Sequence, residues 1–243
     1  KEKLIKQKHA DPVLLEVFNN LFMSIAEQMG VKLQQTARSV NIKERLDFSC
    51  AIFDSNGDLI ANAPHTPVHL GSMDRSVASV IQAHPIMHKG DVFATNAPYN
   101  GGTHLPDITV ITPVFDEKQT KPIFFVASRG HHADIGGTAP GSMTPRATHI
   151  EDEGVILNNI KLVSKYRFLH EEISQILTEN KYPCRNPEQN IADLKAQIAA
   201  NEKGVLELNL MVSQFSFKAV EAYKGHIQDY AENCIRRMIS KIN

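Results

Sequence analysis

The chain has 243 residues, enough to bury a substantial core in one large domain or two small ones, and so it is not a stapled miniprotein. Its 26 Lys and Arg against 27 Asp and Glu leave a formal charge of −1, which excludes the basic field that draws nucleic acid or an anionic membrane. Cys50, Cys184 and Cys234 are widely separated with no C-x-x-C pair, no apolar run reaches membrane-span length, and the charged start Lys1-Glu2-Lys3 has no apolar stretch behind it, so a cytoplasmic protein with reduced thiols is expected.

From Asp11 or Pro12 to about Arg38 the spacing predicts a helix, because Leu14, Phe18, Leu21, Ile25 and Met29 recur at i+3 or i+4. Asp11 can cap the free amides and Pro12 suits the first turn, while Gly30 is a point where the helix can break. Residues 48–53, a turn at Asn56-Gly57 and residues 59–61 predict a β-hairpin. A second helix is expected from Ser72 or Met73 to about His84, ended by Pro85, followed by a strand over 91–96. Residues 107–115 and 122–128 read as two more strands joined by a polar turn over 116–121. The segment from 164 to 187 is polar and linker-like, with a short helix around 170–177. Helices are then expected over 191–211 and 217–242, and the last runs into Asn243 with no cap, as though cut inside a larger protein. The fold class expected is α+β: a mixed sheet with central hairpins, flanked by an N-terminal helix and long C-terminal helices. The expected division is a core over 1–163 and a linker with a helical segment over 164–243.

Two strings carry the candidate chemistry: His104-Leu105-Pro106-Asp107, and His131-His132-Ala133-Asp134 followed by Ile135-Gly136-Gly137. An imidazole and a carboxylate three residues apart can converge on one cation, and two such pairs supply the N/O ligands of a catalytic Zn²⁺, Mn²⁺ or Fe²⁺ site. The first string opens one predicted strand and the second follows its partner, so a hairpin brings both to the same end of the sheet. Against this stands the ordinary reading, in which each histidine is packed or hydrogen-bonded and the spacing is chance. There is no G-x-x-x-x-G-K-[ST] loop and no G-x-G-x-x-G fingerprint, so nothing argues for ATP binding by this chain. Cys50 lies in a predicted buried strand and reads as core, not nucleophile.

Longer strings carry a resemblance. Residues 22–30 (Phe-Met-Ser-Ile-Ala-Glu-Gln-Met-Gly), 41–50, 63–71 (Ala-Pro-His-Thr-Pro-Val-His-Leu-Gly), 104–115, 127–137, 141–143, 193–197 and 199–201, in this order, resemble the hydantoinase B/5-oxoprolinase family over nearly the whole chain. The resemblance implies two halves. A hydantoinase A-like half, fused or separate, uses ATP and Mg²⁺ to phosphorylate the amide carbonyl of a small cyclic amide, and the B-type half completes the hydrolysis, as in opening 5-oxo-L-proline to L-glutamate. It also implies an oligomeric enzyme, and a divalent metal held by His104, Asp107 and His131. Asp134 or His132 is then the expected base, and Gly136 and Gly137 are expected to let backbone amides approach a phosphate or oxyanion. His69, in the 63–71 string, and Arg45, with Asp47 beside it, are expected to bind substrate; for the latter two the simpler alternative is an ion pair at the start of a strand. Other branches of the resemblance are a metal-dependent carboxylase or N-methylhydantoinase B subunit, and a non-enzymatic alternative is a docking module for the ATP-using half.

Overall fold

A computed structural model describes residues 11–116 and 120–242; the charged start at 1–10 and the centre of the turn expected at 116–121 lie outside them. Seven strands form one sheet: β1 (Phe48–Asp54), β2 (Leu59–Asn62), β3 (Val92–Thr95), β4 (Asp107–Val114), β5 (Phe124–His131), β6 (Ile160–Ser164) and β7 (Arg167–Phe168). Their order is β2-β1-β5-β4-β3-β6-β7. The α+β class holds, but the sheet is antiparallel at every pairing and not mixed. The reason lies in the connections. Hairpins join β1 to β2, β4 to β5 and β6 to β7, and among the described residues no strand returns beside its predecessor through a right-handed crossover of the kind parallel pairing needs.

Among the described residues six α-helices cover the sheet: α1 (Pro12–Thr36), α2 (Val40–Lys43), α3 (Pro67–Ala83), α4 (His170–Thr178), α5 (Pro187–Phe215) and α6 (Phe217–Ile242). Side chains alternate across the strands. Cys50, Ile52, Phe124 and Val126 join Phe18, Phe22, Met29 and Tyr223 in the core under α1, α5 and α6. Ala51, Phe53, Phe93, Ile111, Phe125 and Ala127 face the other way, against Met73, Val77 and Val80 of α3. A third cluster unites Val92, Ile108 and Val110 with Ile173 and Leu177 of α4, so the segment read as a linker contributes to a core.

The first helix starts as expected: the Asp11 carboxylate accepts from Val13 N–H at 2.8 Å and Leu14 N–H at 3.4 Å. It does not break at Gly30, because that glycine serves a close approach instead; a Cβ there would lie 2.5 Å from the His65 ring. The helix expected from residue 72 begins at Pro67, since Thr66 ends the loop in extended backbone and Pro67 presets the first turn. That difference places His69 on a helix and not in a loop. Two polar residues of α5 reach into the sheet: Gln197 donates to the carbonyls of Ile108 (2.8 Å) and Ser128 (3.0 Å), and Asn201 donates to that of Val110 (2.9 Å). Elsewhere the fully buried Asp91 accepts from Lys165 N–H, His88 N–H and Lys161 Nζ, each at 3.0 Å. Burial pushes its carboxyl up, and these hydrogen bonds with the Lys161 charge more than reverse that, leaving it below the usual carboxylate range.

His65 makes stability depend on pH. Its Nδ1 accepts from Cys50 N–H at 3.1 Å and its ring stands edge-on to Phe48, so the folded protein holds it neutral, and burial lowers its pKa. The unfolded chain takes up a proton near pH 6.5 that the folded chain refuses. The stability from this group is therefore complete above about pH 6.5 and is lost as pH falls toward the depressed folded value. Urea unfolding at pH 8 and pH 5 should show a smaller acid loss in His65→Gln than in the wild type; equal losses would contradict this account.

Candidate metal centre

The starts of β1 and β4 and the end of β5 lie together, and pairing aligns Asp107 with His131, Thr109 with Arg129, and Ser49 with Arg129. Alternation then puts Ser49, Asp107, Thr109, Arg129 and His131 on the α3 face, on the polar continuation of the stripe that packs Met73 and Val77. Backbone bonds fix the ends: His131 N–H donates to the Asp47 carbonyl (3.0 Å), His132 N–H to that of Pro106 (2.9 Å), and Asp107 N–H to that of His104 (2.8 Å).

His131 Nδ1 and Asp107 Oδ1 are 2.7 Å apart, and Asp107 Oδ2 accepts from Thr103 Oγ1 at 3.0 Å. The rings of His104 and His131 have centroids 5.5 Å apart. One ligand atom from each of His104, Asp107 and His131 lies within 4.8 Å of the other two. Donors about 2.0–2.2 Å from one cation are necessarily within such a distance of one another, and two imidazoles with a carboxylate are the donor chemistry of Zn²⁺, Mn²⁺ or Fe²⁺, so this donor set fits a divalent metal. The hydrogen bond to Asp107 raises the His131 pKa against the effect of burial. Burial alone would push the Asp107 carboxyl up, but the hydrogen bonds from His131 and Thr103 and the neighbouring imidazoles leave it below the ordinary range.

Two further groups border the cluster. His69 Nε2 is 3.6 Å from Asp47 Oδ1 and 3.8 Å from Asp107 Oδ1, while its Nδ1 is 3.2 Å from Ser49 Oγ. Burial lowers its pKa, opposed by Asp107, so it is neutral near pH 7. Asp47, with Oδ2 4.0 Å from His131 Nδ1, faces the site from the residue before β1. Asp47 lies in the 41–50 string that carries the resemblance, and strand alternation from Ser49 points it to this face. Arg45 itself is exposed and makes no ion pair among the described residues.

The structure does not bring His132, Asp134, Gly136 or Gly137 to the cluster. His132 has no exposed surface; its Nε2–H donates to Gln197 Oε1 (3.0 Å), its Nδ1 accepts from Asn190 Nδ2 (3.1 Å), and burial lowers its pKa. The Asp134 carboxylate accepts from Gly136 N–H (2.9 Å), Gly141 N–H (3.0 Å) and Arg185 Nη1 (2.7 Å). Gly136 N–H is thereby committed, and Gly137 N–H donates to the Tyr182 carbonyl at 3.1 Å, so neither amide is free for a phosphate. Both glycines have positive φ, and a Cβ on Gly137 would lie 2.6 Å from the Glu153 carbonyl.

Arg129 is the residue that sequence reading missed altogether. Its guanidinium is fully buried behind the cluster, where burial brings its pKa down to about 10 against the influence of Asp107. Cys50 is also fully buried, and burial pushes its thiol up, which suits a core residue and not a nucleophile.

An antiparallel sheet gathers imidazoles and carboxylates from separate strand ends here, a donor set that would suit a divalent cation. The sequence profile of the Hydantoinase B/oxoprolinase family matches residues 11–243, and the chain belongs to that family. It is 48% identical over 242 residues to 5-oxoprolinase 1 of Arabidopsis thaliana, covering 96% of this chain and 19% of that protein. The ATP-dependent caprolactamase of Pseudomonas jessenii superposes with a TM-score of 0.84 at 27% identity, over 95% of this chain and 39% of the other. Acetone carboxylase, in a nucleotide-free structure, shares the fold with a TM-score of 0.79 at 18% identity, over 92% of this chain and 28% of that one. The chain thus spans about a fifth of the curated relative's length. Among the described residues no helix is long and apolar enough to cross a membrane.

Proposed function

We propose that this chain is the hydrolytic portion of an ATP-dependent cyclic-amide hydrolase, acting on the phosphorylated form of a lactam such as 5-oxo-L-proline and leading to L-glutamate. The observation that carries the reading is the convergence of His104, Asp107 and His131 at one end of the sheet. The names of the relatives, 5-oxoprolinase and ATP-dependent caprolactamase, support the substrate class. ATP and Mg²⁺ belong to a hydantoinase A-like half, fused or separate.

A five-membered lactam is a poor electrophile, and phosphorylating its oxygen makes that oxygen a leaving group. What remains is to add water at that carbon, to break the ring C–N bond as the proton taken from the water passes to the leaving nitrogen, and to release phosphate from the resulting γ-acyl phosphate with a second water, giving L-glutamate. A divalent ion on His104, Asp107 and His131, with Asp47 as a further carboxylate, would supply a water acidified toward neutral pH. His69 Nε2 is the proton acceptor in this reading: the ring is neutral, and a proton received there lies between the carboxylates of Asp47 and Asp107. Asp134 and His132 hold the fold. Asp134 organises the loop over 134–141 with Arg185, and His132 ties the end of β5 to α5.

The test combines metal content with turnover of the full-length enzyme supplied with ATP. His69→Gln should retain bound metal yet lose glutamate release from 5-oxoproline by about 10²–10⁴-fold, the usual share of a general base. Undiminished turnover would remove His69 from this role. A wild-type chain that takes up no divalent metal would favour the docking module instead.

A further inference from the structure

We infer that Arg129 is a positioning residue whose guanidinium holds α3, the loop before His104 and β4 in register around the histidine and aspartate cluster. Its five N–H donors meet five oxygens. Nε donates to Thr109 Oγ1 at 2.7 Å, Nη1 to the His69 carbonyl at 3.2 Å and to Ser72 Oγ at 2.7 Å, and Nη2 to Ser76 Oγ and the Gly101 carbonyl, each at 2.9 Å. Among the described residues no carboxylate is hydrogen-bonded to it, so a buried cation is satisfied wholly by neutral groups. An arrangement that forgoes an ion pair spends the guanidinium's planar geometry on alignment.

Each partner stands one short step from a site residue. The His69 carbonyl belongs to the residue whose Nε2 faces Asp47 and Asp107. Ser72 and Ser76 continue the same face of α3 at i+3 and i+7 from His69. Gly101 begins the turn that delivers Thr103 Oγ1 to Asp107 Oδ2 and then His104. Thr109 lies two residues along β4 from Asp107, as Arg129 lies two along β5 from His131. The loop runs on into β4 and β4 is hairpin-linked to β5, whereas α3 lies well apart in sequence; from β5 this one fork reaches α3, the loop and β4 together.

Only one of the two readouts below rests on the proposed metal function. Arg129→Lys keeps the charge and most of the stem but offers three donors to five oxygens. In metal-free protein, the side-chain ¹⁵N resonances of His69 and His131 should shift while those of His84, at the far end of α3, stay in place. Titration with Mn²⁺ should show affinity weakened about 10–100-fold, the usual effect of losing a group that orients ligands. Asp91→Asn serves as the comparison: it removes a buried charge distant from the cluster, and should lower the melting temperature without moving either readout. A folded Arg129→Lys with wild-type His69 and His131 signals overturns the inference. Should that variant fail to fold, Thr109→Val decides: it removes only the Nε partner, must shift the same two histidines by a smaller amount, and overturns the inference if it does not. A wild type that binds no Mn²⁺ would refute the metal reading while leaving the imidazole readout to judge Arg129.

Discussion

Asp107→Ala is expected to leave the cluster without metal and to lower turnover of the assembled enzyme by on the order of 10²–10³-fold or more. One side chain here performs three tasks. Asp107 supplies the carboxylate of the convergent set, receives the His131 hydrogen at 2.7 Å, and holds Thr103 through its second oxygen. Alanine removes the anionic donor and frees the His131 ring, so two of three donors are affected by one change. Asp107→Asn separates the tasks: the amide keeps an oxygen for Thr103 or for His131 and nearly the same volume, but loses the charge that favours a dication. Metal content measured beside circular dichroism should show both variants folded, alanine without metal and asparagine weakened. Stoichiometric metal in a folded Asp107→Ala would refute the ligand assignment, and with it the hydrolytic reading.

How much of this was readable in advance depends on how local each signal is. Helix α1 was legible because its apolar repeat and the Asp11-Pro12 start are contained in a few turns, and the β1–β2 hairpin because Asn56-Gly57 specifies its turn. His104, Asp107 and His131 were legible because two hairpin-linked strands carry them, so chain proximity predicted spatial proximity. His69 and Asp47, which the resemblance offers as substrate-binding candidates, join the same cluster from α3 and from the residue before β1, a meeting that no local spacing announces. Arg129 was invisible for the same reason: its five partners lie at separations of 20 to 60 residues. The opposite error concerns His132 and Asp134. Asp134 with His131 repeats the spacing of the first string and His132 stands next to it, yet adjacent residues at the end of a strand face opposite ways, so His131 turns to α3 while His132 turns to Asn190 and Gln197 of α5. Spacing could not say which member of the pair faced the site. Beyond the strand's end the Gly136-Gly137 pair reads as an anion-binding loop, but its amides are taken by Asp134 and by Tyr182.

Gly101→Val should destabilise the fold by roughly 2–5 kcal/mol, combining a β-branched residue at positive φ with overpacking. Gly101 has φ of 86°, and a Cβ there would collide with the backbone nitrogen of Ser76 and come within 2.5 Å of the Arg75 carbonyl carbon. These are main-chain atoms inside α3, which cannot rotate away as a side chain can, so the loop must lift. Lifting it costs the two bonds its carbonyl accepts, from Ser76 Oγ at 2.8 Å and Arg129 Nη2 at 2.9 Å, and withdraws Thr103 from Asp107. The effect should therefore exceed stability: Mn²⁺ affinity should fall as well, because the same loop carries His104. Gly225→Ala provides the contrast, since beyond the adjacent residues and the local backbone of α6 nothing lies within 4 Å of its added Cβ, and a helix interior gains about 0.8–1.0 kcal/mol from alanine over glycine. Urea unfolding of the pair should give shifts of opposite sign. A Gly101→Val protein with wild-type stability would mean that the loop does not rest on α3, and the geometry assigned to His104 would have to be abandoned with it.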